Sequence, residues 1–179
     1  MRKATGVREA DLLDRCLAFE ERAAAVYRRF AAARLDDAEL AALWTALAAD
    51  EDEHARTIRD ARDSLAPGQS DLIAVGGCEA ACAGVGVRLD HAESLDATAS
   101  PSRQLAAALD IELSEIEALR RLAVQASGRH PGPTPDRSHL HRLADTARRR
   151  SQDGHVRLAA ALLLARERLT AIAGPASGA

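Results

Sequence analysis

Glu51 and His54 are three residues apart, and their types and spacing suit them to bind a metal ion. They lie in a stretch, residues 40–62, that has no glycine or proline and has apolar residues at every third or fourth position, which predicts an amphipathic helix. Residues three apart on a helix share one face and lie about 4.5 Å apart along its axis. Leu43 and Leu47 lie near that face, so both polar groups are expected to point into a helical bundle. Buried charge is costly unless it is paired or bound to metal.

Three further segments are predicted to be helices that bring matching groups to the same region. They span residues 7–34, 101–126 and 137–173, and each has apolar residues at helical spacing. Ser100 followed by Pro101 is typical of a helix start. The polar groups near their inward faces are Glu20 and Tyr27 on the first helix, Glu112 and Glu115 on the third, and Gln152 and His155 on the fourth.

The second predicted helix spans residues 37–65 and carries the Glu-x-x-His pair. Asp36 and Glu39 resemble a capping box at its start. Because the connection from the first helix is very short, the two helices are expected to form an antiparallel hairpin. Trp44 is expected to fill the end of the core.

Residues 66–100 form an unusually long connection for a compact domain, rich in glycine, alanine and serine. A segment of this length can cross the full length of a bundle. We therefore expect it to pass along the outside, so that the second and third predicted helices run parallel. Cys78 and Cys82 lie within it at a spacing that does not match a zinc ribbon. They are interpreted either as a disulfide or soft-metal pair or as buried or incidental cysteines.

The two halves of the chain repeat the same pattern. Residues 20–31 align with residues 112–123 at an offset of 92, and residues 51–56 align with residues 152–157 at an offset of 101. Each half is then a helical hairpin with a carboxylate on one helix and a carboxylate or amide plus a histidine on the next. Two such hairpins predict a pseudo-twofold bundle whose polar groups converge near its middle.

With these motifs the chain resembles the rubrerythrin-like branch of the ferritin-like superfamily, over most of residues 10–65 and 101–165. The resemblance implies an all-α fold, a ferritin-like antiparallel four-helix bundle with a long crossover between its second and third helices. It also implies a site for two iron ions, or manganese, held by carboxylates and imidazoles. The implied ligands are Glu20, Glu51, His54, Glu112, Glu115, Gln152 and His155, and Tyr27 is the implied catalytic residue, as a hydrogen-bond partner of a ligand or a redox group.

Gln152 departs from this pattern, because the family has glutamate there. A neutral amide binds a hard cation less strongly than a carboxylate does, and Arg148, expected to face inward one turn earlier, would compete for the acidic cluster. The second metal ion is therefore expected to bind more weakly. Peroxidase, ferroxidase and iron-storage functions all stay open, as does a metal-free helical-bundle interaction protein with a degenerate site.

The resemblance also implies partners. Rubrerythrin-like proteins are often dimers, so a homo-oligomer is expected. The family's rubredoxin domain is not in this chain, so an enzyme of this type would take electrons from a separate donor protein.

Composition sets the remaining expectations. With 179 residues the chain is expected to form one domain over residues 1–174, followed by a disordered tail at 175–179. The net charge of −3 does not indicate a protein that binds nucleic acid. The start of the sequence does not resemble a signal peptide and no apolar run is long enough to span a bilayer, so we expect a cytoplasmic protein without a membrane partner.

Overall fold

A computed structural model describes the backbone of residues 6–63, 72–74, 78–126 and 138–173, and within these the side chains of residues 10–63, 80–114 and 140–164. This part of the chain is helical apart from one short antiparallel ribbon, which confirms the all-α class. The elements in chain order are β1 (Gly6–Arg8), α1 (Glu9–Ala32), α2 (Ala38–Asp63), β2 (Leu72–Ala74), α3 (Cys78–Ser94), α4 (Pro101–Ala126), α5 (Ser138–Arg150) and α6 (Gly154–Ala173). In the ribbon, Val7 pairs with Ile73.

Helices α1 and α2 form an antiparallel hairpin. Three ion pairs link residues that advance along α1 while they recede along α2: Asp14 with Arg62, Glu21 with Arg59, and Arg28 with Asp52. The apolar side chains between these helices are almost completely buried, among them Phe30, Leu40 and Leu47.

Helix α4 also runs antiparallel to α1, and so runs in the same direction as α2. Tyr27 contacts Glu112, whereas Arg34, further along α1, donates to Gln104, earlier on α4. Arg34 also donates to the carbonyl of Ala99, which holds the end of the preceding loop. These contacts place Glu112 beside the middle of the α1–α2 hairpin.

The segment expected to cross the bundle contains a helix of its own. Helix α3 runs parallel to α1, because Gly86 lies beside Phe19 and Glu93 lies further along α3 beside Arg22. Arg29 donates to the carbonyls at the end of α3, including that of Glu93. The chain therefore returns along the length of the molecule as a helix packed against α1 and α4.

The start of α2 differs from the predicted cap by one residue. The carboxylate of Asp37, and not that of Asp36, accepts a hydrogen bond from the backbone N–H of Leu40, at 3.2 Å. This is the geometry of a helix N-cap. Arg149 and Arg150 at the end of α5 pair with Glu39 and Asp37 at this helix start, so the basic run anchors α5 against α2.

The fourth predicted helix, residues 137–173, is two helices in the structure. Helix α5 ends at Arg150 and α6 begins at Gly154. Asp153 caps α6: its side-chain Oδ1 accepts the N–H of His155 at 2.8 Å, and its backbone carbonyl accepts the N–H of Arg157. The backbone N–H of Gln152 donates to the Ser102 hydroxyl on α4 at 3.0 Å, which holds the break against the bundle.

No helix in the described part of the chain combines the length and apolar character that a bilayer span requires. The predicted tail at residues 175–179 lies outside the described residues.

Candidate metal centre

Helices α1 and α2 bring Glu20, Glu51 and His54 together. One ligand atom from each lies within 4.8 Å of the others. The Nδ1 atom of His54 is 3.0 Å from Oε2 of Glu51 and 3.6 Å from Oε2 of Glu20. Both carboxylates are buried, whereas the imidazole side chain is 30% exposed, so the cluster opens to the surface on the histidine side.

Helix α4 adds a third carboxylate, that of Glu112, which is 2% exposed. Its charge acts directly on Glu51. The hydroxyl of Tyr27, itself fully buried, donates to Oε1 of Glu112 at 2.8 Å. A donor at this distance fixes the orientation of the carboxylate, so Tyr27 positions Glu112 beside the cluster.

The carboxylates oppose one another electrostatically. Burial raises the pKa of Glu51 well above its ordinary value, and the neighbouring charges of Glu112 and then Glu20 raise it further. Without a cation, the fold therefore favours the protonated form of Glu51.

Two buried carboxylate oxygens, Oε2 of Glu20 and Oε1 of Glu51, accept no hydrogen bond from the part of the chain that the structure describes. Buried polar atoms are normally satisfied, so these two call for a partner of another kind. A divalent cation meets that need, because it supplies positive charge to both oxygens; Oε2 of Glu20 otherwise has the Nδ1 atom of His54 at 3.6 Å, beyond hydrogen-bond distance. Carboxylate oxygens with one imidazole nitrogen suit iron or manganese.

The two remaining residues of the fourth predicted helix do not join the cluster. Gln152 lies in the break between α5 and α6, and His155 lies in the first turn of α6; both are exposed. The expectation that they face the bundle interior is wrong, because Asp153 starts a new helix and breaks the helical spacing that would have carried them inward. The side chain of Glu115 lies outside the described residues.

Arg148 does not compete for the acidic cluster either. It is exposed and pairs with Asp145 on its own helix, so its expected inward position is also wrong. The buried side chains in the described part of α5 are Leu140, Leu143, Ala144, Thr146 and Ala147. This face of α5 therefore offers an apolar wall and not a second set of ligands.

The cysteines of the long connection have a separate environment. Cys82 is buried and belongs to a small cluster with Cys16 and Leu12. The side chain of Cys78 lies outside the described residues, so a Cys78–Cys82 pairing stays a prediction.

In comparisons with known proteins, no protein-family model, curated protein or solved structure matches this chain. The rubrerythrin-like resemblance therefore rests on the spacing of the residues in the sequence and stays a prediction.

Proposed function

We propose that the protein binds a divalent transition-metal ion, iron or manganese, through Glu20, Glu51 and His54, with Glu112 as a further carboxylate. The observation that carries this proposal is that Glu20 and Glu51 each have a buried carboxylate oxygen that accepts no hydrogen bond from the described part of the chain, while the Nδ1 atom of His54 lies near both carboxylates. An acidic core of this kind is costly to keep without a counter-charge. A bound cation turns the same arrangement into a stabilising one.

The proposed activity is peroxide- or oxygen-dependent iron oxidation, in a ferritin-like bundle. Iron held by these ligands supplies one-electron chemistry between its +2 and +3 states. The parallel course of α2 and α4 supports a ferritin-like arrangement of α1, α2, α4 and α5. Helix α3, which joins α2 to α4, packs into the same apolar core through Val85 and Leu89. The half-buried His54 gives small oxidants a route to the ligands without exposing Glu51.

Each residue of the cluster has a defined role in this proposal. Glu51 lies between the carboxylates of α1 and α4 and would hold a cation together with Glu20 and His54. Tyr27 holds Glu112 in place through its hydroxyl. A second ion has fewer ligands than the family pattern implies, because Gln152 and His155 are exposed.

A second candidate function, a metal-free helical interaction protein, is favoured by that same exposure. With Gln152 and His155 turned away, the described part of the site contains one imidazole only. Under this alternative the acidic cluster is a remnant in which Glu51 is protonated.

Metal titration separates the two functions. Chelator-treated protein is titrated with Mn(II), or with Fe(II) under anaerobic conditions, and bound metal is counted by elemental analysis after desalting. The parent is expected to keep at least one ion per chain, and the double variant Glu51→Ala, His54→Ala is expected to keep none. The control is the double variant Gln152→Ala, His155→Ala, which removes an amide and an imidazole from exposed positions and should bind like the parent. A parent that keeps no metal would favour the interaction protein.

A further inference from the structure

Next to the proposed metal centre lies a compact thiol cluster, which we define as Leu12, Cys16 and Cys82, with Phe19 and Ile58 packed against it. Cys16 is on α1 and Cys82 is on α3, so the cluster joins two helices that are far apart in sequence. Both cysteines are buried, with exposed fractions of 9% and 4%. A buried thiol ordinarily behaves as a small apolar group and is protected from oxidants in solution.

The thiol cluster lies one helical turn from the acidic cluster on two helices at once. Cys16 precedes Glu20 by four residues on α1, and Ile58 follows His54 by four residues on α2. Because four residues span about 6 Å of helix axis, the thiols form the layer next to the metal ligands. The parallel course of α1 and α3 places Cys82 at the level of Cys16, just as Gly86 lies at the level of Phe19.

We propose that Cys16 and Cys82 are the electron donors for peroxide reduction at the metal centre, and that they become a disulfide joining α1 to α3. This inference rests on the proposed function, because it assigns a reductant to the same site. The protein would then supply the first two electrons itself, before any separate donor protein acts.

The reaction balances with peroxide as the oxidant. The two thiols lose two electrons and two protons, and one S–S bond forms between Cys16 and Cys82. The O–O bond of one hydrogen peroxide breaks, and its two oxygens take up two electrons and two protons, so that two water molecules leave.

The position of the two thiols, buried beside the metal ligands, determines how they can be oxidised. Direct attack by peroxide on a buried thiol is slow, because reactivity follows thiolate character and exposure. Oxidation of these thiols is therefore expected to depend on an occupied metal centre. This dependence distinguishes the proposal from two cysteines that only fill space.

The test is peptide mapping of the full-length protein after peroxide. Reduced protein is loaded with Fe(II) under anaerobic conditions, its metal content is measured, and an equimolar amount of hydrogen peroxide is added. Remaining thiols are alkylated, and the protein is digested without reductant for mass spectrometry. The expected product is a cross-linked peptide pair containing Cys16 and Cys82. It should be missing from metal-free parent and from the Glu51→Ala, His54→Ala variant treated in the same way.

Single cysteine variants supply the matched controls. Cys82→Ala is expected to abolish the cross-link, whereas Cys78→Ala, on the same helix one turn earlier, is expected to leave it unchanged. If Cys82→Ala does not fold, as judged by circular dichroism, the comparison of metal-loaded with metal-free parent still decides the matter.

The possible failures are distinguishable. A parent that binds iron and oxidises it, yet shows no Cys16–Cys82 peptide, overturns this inference and leaves the proposed function standing. Equal cross-linking with and without metal overturns it as well, because the thiols then respond to peroxide without the centre. A Cys78–Cys82 peptide in place of the expected one has the same consequence. A parent that binds no metal at the loading step removes the proposed function and this inference together.

Discussion

At the scale of single residues, the surroundings of Glu51 oppose its ionised form. It is fully buried, and the groups that most affect its ionisation are other carboxylates. Residue spacing alone predicted that Glu20, Glu51, His54 and Glu112 face inward, because helical periodicity identifies which side of a helix is buried. Spacing does not show which oxygens lack donors, since that depends on how three helices meet.

The first residue-scale prediction concerns pH. The folded-state pKa of Glu51 is raised, so its contribution to the stability of the metal-free protein is present below the unfolded-state pKa and is lost as pH rises through the folded-state pKa. The amide of Glu51→Gln cannot ionise, so the variant does not lose stability in this way as pH rises. The variant should therefore gain stability over the parent as pH rises, by about 1.4 kcal/mol for each unit by which the pKa is raised.

Urea denaturation with chelator present, at several pH values from about 5 to 8, measures this difference across the range in which a raised carboxyl pKa acts. The control is Glu53→Gln on the exposed face of the same helix, where a surface substitution is expected to change stability little. A gap between Glu51→Gln and parent that stays constant with pH would show that Glu51 is ionised throughout.

The second residue-scale prediction concerns the hydroxyl of Tyr27. Tyr27→Phe keeps the ring, which stacks on Trp44 at 6.0 Å between centroids, and removes only the donor to Glu112. The loss should destabilise the metal-free protein by about 1–3 kcal/mol, the range for hydrogen bonds to charged groups and for a buried acceptor left unsatisfied.

A double-mutant cycle tests whether the lost stability comes from the hydrogen bond between Tyr27 and Glu112. Tyr27→Phe is combined with Glu112→Leu, and the free energy of unfolding is measured for all four proteins. The two substitutions are expected to be non-additive by about 1 kcal/mol or more, because each removes the same contact. Additive effects would show that the hydroxyl does not hold the carboxylate.

At the scale of elements, the helices follow the sequence closely where local signals agree. The predicted third helix, residues 101–126, matches α4 at both ends, because Ser100 and Pro101 mark its start and Gly128 follows its end. The fourth was predicted too long. Apolar residues at helical spacing on both sides, up to Ala147 and again from Val156, indicated one helix, although Asp153 followed by Gly154 is a second start signal.

The element-scale prediction tests the start of α2, where two adjacent aspartates compete for the cap. Asp37→Ala removes the acceptor for the N–H of Leu40 and should cost about 1 kcal/mol. Its ion pair with Arg150 is partly exposed and should add little. Asp36→Ala is the matched control, because Asp36 is exposed, and a change below about 0.5 kcal/mol is expected. Urea denaturation measures the free energy of unfolding of both variants. An equal or larger loss of stability in Asp36→Ala would show that Asp36 caps α2, as the sequence indicated.

At the scale of the whole molecule, the all-helical class could be predicted from composition and periodicity, and the arrangement only in part. The long connection was expected to cross along the outside of the bundle. In the structure the crossing is made by α3, which packs Val85, Leu89 and Ala92 into the main core at helical spacing. The glycines of this segment led to its interpretation as a connection, because glycine is a poor helix former.

The equivalent residues Glu20 and Glu112 of the internal repeat both lie beside Glu51, as the repeat predicts. Gln152 and His155 do not occupy positions equivalent to Glu51 and His54, because a repeat in sequence carries no information about a helix break.

The last prediction follows from that asymmetry between the halves. Gln152 is exposed, and its backbone is held at the break by Ser102 on α4. Introducing the glutamate that the rubrerythrin-like pattern has at this position, with Gln152→Glu, should therefore add no metal ligand. A bound ligand stabilises a folded protein by an amount that rises with the logarithm of ligand concentration over the dissociation constant, about 2.7 kcal/mol at a hundredfold excess. Gln152→Glu should show the same Mn(II) stoichiometry as the parent and the same Mn(II)-induced shift in the urea midpoint, whereas Glu20→Ala should reduce both. An increase in both quantities for Gln152→Glu would mean that α5 and α6 join into one helix when metal binds, since only a continuous helix carries residue 152 to the interior.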